Sequence, residues 1–147
     1  MLELIATSII TVSSALLFGY WYRYTCLLIL SAKTTKDYAG EVAAANQLSF
    51  AEIQTQLAGG SGQNLDLLEQ SLNRDYVRLS ALFESVSSAE VRLEDRMLQL
   101  DYCLMTLWYK VSRHFSANLA QSALQEMSMV VEHFANTFGE RAAGAEA

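Results

Sequence analysis

Proline is absent from this chain, where an average sequence of 147 residues would carry about seven. The commonest helix breaker is therefore missing. Glycine is scarce as well: there are seven, three of them in Gly59, Gly60 and Gly62. Long uninterrupted helices are the expectation. Cysteine is limited to Cys26 and Cys103, too few and too far apart to read as a disulfide framework. Basic residues are few once the first 36 residues are set aside. From Asp37 onward there are seven against fifteen acidic ones, a net charge of −8. Phosphate backbones repel such a surface, and no basic stripe with interleaved aromatics relieves it, so nucleic-acid binding is excluded.

What the chain does have is one long apolar run. Leu4 to Tyr22 is nineteen residues without a charge. At 1.5 Å per residue it reaches roughly 28 Å, close to the hydrocarbon thickness of about 30 Å. Apolar character resumes through Leu27, Leu28, Ile29 and Leu30, while Tyr20, Trp21, Tyr22 and Tyr24 resemble an interfacial belt. Residues 1–32 are read as a transmembrane anchor, with Arg23 able to snorkel to the headgroups. Glu3 in place of a basic n-region, and the length of the apolar run, argue against a cleaved signal peptide. Arg23, Lys33 and Lys36 follow the run and only Glu3 and the terminal amine precede it. The positive-inside rule then puts the N-terminus outside and the rest in the cytoplasm of a plasma or inner membrane. On the anchor, Thr7, Thr11, Ala15 and Gly19 recur every four residues and lead to Arg23. A ladder of small residues lets two membrane helices approach closely, so this is a candidate association face.

The remainder reads as a small antiparallel bundle of three to four helices. Residues 33–58 form a juxtamembrane helical segment weakened at Gly40. In it, Ser49-Phe50-Ala51-Glu52 is a capping-box pattern opening a short helix from about Phe50 to Ala58, with Phe50, Ile53 and Leu57 on one face. Residues 59–62 are a glycine-rich linker. Within 63–138, Leu72, Tyr76, Leu79, Phe83 and Val86 keep helical time. So do Leu93, Met97, Leu100, Leu104, Leu107 and Val111, with Leu98, Met105, Trp108 and Phe115 widening the stripe. Ser87-Ser88-Ala89-Glu90 between the sets is a second capping-box pattern. One continuous coiled-coil helix and a hairpin broken near residue 87 both fit; the breadth of the second stripe favours the hairpin. Folding there pairs positions summing to about 174, which sets Asp101, on the apolar side, opposite Arg74 as a candidate interhelical ion pair. A last helix runs from about Ser116 to Phe138 with Leu119, Leu124, Met127, Val131 and Phe134 on its apolar face. Gly139 is read as its stop and 139–147 as a flexible tail.

Chemistry is thin. His114 and His133 stand in no metal-ligand spacing, the GGSG run lacks the lysine and strand of a phosphate loop, and Cys103 reads as a small hydrophobe inside a helix. No catalytic residue, cofactor site or metal site is expected. The sequence reads as a membrane-anchored helical protein–protein interaction module, a scaffold or adaptor. Its partners would be the bilayer and one or more proteins, a homo-oligomer among the options. The alternative is a small accessory subunit recruited into an integral membrane complex through its transmembrane helix.

Overall fold

A computed structural model describes residues 1–32, 36–60, 64–86 and 92–146. Among the described residues it is all-helical, with six helices and no strand. The chain divides into two compact units, Met1–Ala32 and Lys33–Ala147.

The first unit is one helix, α1 (Leu2–Ser31), of 30 residues. It spans about 45 Å, and is long and apolar enough to cross a membrane. Leu4, Ile9, Ile10, Leu16 and Phe18 are 61–73% exposed, so this stretch is not the core helix of a soluble domain. Serine and threonine hydroxyls along it are returned to the helix: Thr7 and Thr11 each donate to the carbonyl four residues back, at 2.8 Å.

The second unit holds α2 (Ala39–Asn46), α3 (Phe50–Ala58), α4 (Leu65–Val86), α5 (Leu93–Ser112) and α6 (Ala117–Glu146). The long helices run up, down and up. Asp66 at the start of α4 meets Tyr109 and Arg113 at the end of α5. Asp95 at the start of α5 meets Arg141 near the end of α6. Phe83 late in α4 meets Phe138 late in α6. Sequence periodicity anticipates α4 facing α5 directly, but α6 is the element against which α2, α3, α4 and α5 all pack. The reason is the width of its apolar surface. Ala120, Ala123 and Ala135 let neighbours close in, and Leu124, Met127, Val130 and Val131 fill the centre, all buried. α4 and α5 still touch through long side chains, with the Tyr76 and Tyr102 rings stacked at 3.9 Å.

Helices as short as α2 and α3 are marginal alone, because nucleation is costly and few internal bonds repay it. Here the rest of the unit supplies their caps. The Tyr38 N–H ahead of α2 donates to Asn136 Oδ1 on α6 at 2.7 Å. The Ser49 N–H ahead of α3 donates to Asp75 Oδ2 on α4 at 2.6 Å. At the far end of α3, Gln121 of α6 donates to the Leu57 carbonyl at 2.7 Å. The expected capping box at Ser49 is thus replaced: its side chain makes no cap bond, and a carboxylate 26 residues away takes the role. Phe50, Ile53 and Leu57 are buried, as their spacing requires.

Gly40 lies in the first turn of α2, with nothing within 4 Å of where a Cβ would stand. Two expectations need correction. Gly139 does not end α6, which continues to Glu146. Its lack of a side chain serves packing, since a Cβ there would run into Tyr38 and come within 3.2 Å of Val42. The expected flexible tail is helical because Arg141 is held twice, by Asp95 at 2.6 Å and over the Phe83 ring at 4.9 Å, and because Ala142, Ala143 and Ala145 favour helix. The second capping-box pattern and the end of the glycine linker, Ser61 and Gly62, lie outside the described residues.

Candidate functional site

The largest departure from sequence expectation concerns which side of α5 faces inward. α5 carries two apolar faces, each spaced by threes and fours. Leu98, Tyr102, Met105 and Tyr109 form one, and they are buried against α6 and α4. The other is the set that the spacing nominates for the core. Leu93, Leu100, Leu104, Leu107 and Val111 are 43–74% exposed. Trp108 and Phe115 extend the same surface, at 45% and 82% exposed. From these exposed fractions the seven side chains present roughly 700 Å² of apolar surface, above the 300–600 Å² of the largest patch on a typical monomer. Cys103, expected to behave as an interior hydrophobe, is an exposed free thiol beside this face.

Two cavities flank α5. One, of about 450 Å³, is lined by Ser80, Phe83, Asp95, Gln99, Phe134 and Arg141 among others. Of its two arginines, Arg96 and Arg141, the Arg141 guanidinium is already paired with Asp95 and stacked on Phe83. His133 lies in the same region, where burial pushes its imidazole below the usual range despite Asp95, Glu94 and Glu140, so it is neutral at pH 7. The second cavity, about 310 Å³, is lined by Asp66, Tyr109, Arg113 and His114 with small residues of α6. Asp66 accepts from the Tyr109 hydroxyl and from Arg113, both at 2.7 Å. Those two bonds hold its carboxyl below the ordinary value. At both cavities polar contacts tie helix ends together, which is a structural use of charge. Among the described residues no group of three or more His, Cys, Asp or Glu side chains is placed to hold a metal ion.

Of the residues singled out by sequence, Thr7, Thr11, Ala15 and Gly19 lie exposed on α1, and no atom comes within 4 Å of a Cβ built on Gly19. Arg23 follows them on the same helix. Asp101 is fully buried, as its place among apolar residues implies, whereas Arg74 is exposed. α4 instead turns the next residue inward: Asp75 is fully buried, and burial raises its carboxyl above the usual range against the opposing pull of the Ser49 N–H. Summing positions to 174 was off by a few: the observed partners Tyr76 with Tyr102 and Asp66 with Tyr109 sum to 178 and 175. A shift of one residue rotates a helix by about 100°, enough to turn Asp75 inward in place of Arg74. The pairs that do form, Asp66 with Arg113 and Asp95 with Arg141, went unseen because nothing local marks either partner.

Comparison with protein-family models, with curated proteins and with solved structures finds no match to this chain.

Proposed function

We propose that this protein is a membrane-anchored helical interaction module that binds and does not catalyse. In this reading α1 spans a bilayer with the N-terminus outside, and the second unit works in the cytoplasm. The observation that carries it is the outer face of α5: a row of large apolar side chains left open beside a core that is already complete. Exposed apolar area of this extent is costly to keep in water and is the usual mark of a docking surface. The exposed apolar run of α1 over residues 2–21 supports the membrane assignment, and Arg23, Lys33 and Lys36 after its apolar run support the orientation.

A second reading, an accessory subunit recruited through α1, draws on one observation. Thr7 and Thr11 spend their hydroxyls on backbone carbonyls, so with Ala15 and Gly19 they offer a smooth, small-residue surface to another membrane helix. One experiment separates the two. A photo-activatable amino acid is placed at position 107 or at position 15 of the full chain, which is irradiated in native membranes. Protein adducts from 107 support docking through α5. Adducts from 15 with none from 107 favour the accessory subunit and remove the first reading.

A further inference from the structure

We infer that the outer face of α5 is a seam for a second copy of this chain, joined as a parallel two-stranded coiled coil; this rests on the docking role proposed above and names its occupant. Leu93, Met97, Leu100, Leu104, Leu107 and Val111 step by four, three, four, three and four, an unbroken 3.5-residue repeat over the helix. A general apolar face of a globular helix follows 3.6 residues and is broader, whereas a 3.5 repeat suits a single neighbouring helix in a coiled coil. Leu93, Leu100 and Leu107 hold every d position, and the a positions are Met97, Leu104 and the β-branched Val111. Leucine at every d position is shared with two-stranded parallel pairs, and of the a positions Val111 carries the β-branching that favours them.

Area and charge point the same way. Two copies joined through about 700 Å² each bury roughly 1,400 Å² in total, within the 1,200–2,000 Å² of specific stable interfaces. The seam is bordered by Arg96 and Lys110 at g positions. Antiparallel pairing of the same seam would set Arg96 of one copy against Lys110 of the other, a like-charge contact that parallel pairing avoids. The buried row of α5, which holds Leu98, Met105 and Tyr109, lies on the other side of the helix, so α6 and a second α5 occupy it without competing. Trp108 falls at an e position, where it covers the edge of the seam.

The test uses the full chain in bilayers, with two differently tagged copies expressed together. Leu104→Cys, in a Cys26→Ser and Cys103→Ser background, is expected to give a covalent dimer on mild copper-phenanthroline oxidation, and Gln99→Cys, on the flank of α5, is not. Leu104→Glu with Leu107→Glu is expected to cut recovery of one tag with the other at least tenfold. Circular dichroism that is unchanged shows that both variants fold. Tags that never co-purify overturn the inference, as does pairing that survives the double glutamate variant or that Gly19→Ile alone abolishes. Photo-adducts from position 107 to an unrelated protein overturn self-association but leave the docking role standing. Adducts to lipid only, with no protein, overturn both.

Discussion

Asp75 offers the sharpest check on how the second unit is held together. Its Oδ2 accepts the Ser49 N–H at 2.6 Å and so caps α3 from a neighbouring helix, while the whole side chain is withdrawn from water. Asp75→Ala removes the acceptor of that N–H. Loss of a helix cap costs about 0.5–2 kcal/mol, and leaving a buried donor unsatisfied costs about 1–3 kcal/mol. These ranges describe one group from two sides, so the expected loss is about 2 kcal/mol. For a unit of this size that lowers the melting temperature by roughly 8 °C, at about 4 °C per kcal/mol. Asp75→Asn keeps an acceptor oxygen and discards the charge, and it should fall within about 1 kcal/mol of the parent. The acidity of Asp75 sharpens the comparison. Its folded pKa lies above the unfolded value of 3.8, chiefly because burial disfavours the carboxylate. The folded state therefore holds the proton more tightly, and stability declines as pH rises from 3.8 through the folded pKa. The parent should gain stability relative to Asp75→Asn on acidification through that window. Thermal melts of the full chain in detergent, followed by circular dichroism at several pH values, read all three quantities. Melting of Asp75→Ala within 2 °C of the parent would refute the capping argument. So would Asp75→Asn falling as far as Asp75→Ala, since the acceptor would then not be what matters.

Gly139→Ala should destabilise by about 1–3 kcal/mol, because its methyl group has no room against Tyr38. Gly144→Ala, in open space on the same helix, should stabilise by up to about 1 kcal/mol; a urea midpoint for each decides. In the Leu104→Glu, Leu107→Glu background, where no second copy covers the outer face of α5, Leu98→Ala should cost about 2–5 kcal/mol and Leu100→Ala less than about 1 kcal/mol, and equal losses would mean that the inner and outer faces are misassigned. Asp66 is held below its ordinary value of 3.8, first by the Tyr109 hydroxyl and then by Arg113. Its contribution is present above 3.8 and is lost as pH falls through the folded pKa, and Tyr109→Phe should raise that pKa. A carboxyl NMR titration that shows no upward movement rules the bond out as its cause.

Much of the secondary structure could be read from local pattern. With no proline and few glycines, apolar residues at threes and fours placed α3 at Phe50–Ala58 and separated α4 from α5 near residue 87. Local pattern was silent on the contacts that lock those pieces together. Asp75 reaches Ser49 across 26 residues, Gln121 reaches Leu57 across 64, and Asn136 reaches Tyr38 across 98. In each case the signal is an ordinary polar residue on a helix, with nothing nearby to announce its partner. Gly139 was misjudged for a related reason. A glycine near a chain end looks like a stop, and only the approach of Tyr38 shows why a side chain is not tolerated there.

By itself the sequence determined that this chain is helical, that its first helix is apolar and long enough to cross a bilayer, and where most helices begin. Those properties depend on neighbours within a turn or two. Tertiary structure alone decided which face of α5 is buried. Leu98, Tyr102, Met105 and Tyr109 obey the same spacing rule as Leu93, Leu100, Leu104 and Leu107, so periodicity cannot rank them. The choice falls to α6, whose small residues admit Tyr109 and its row and leave the leucines outside.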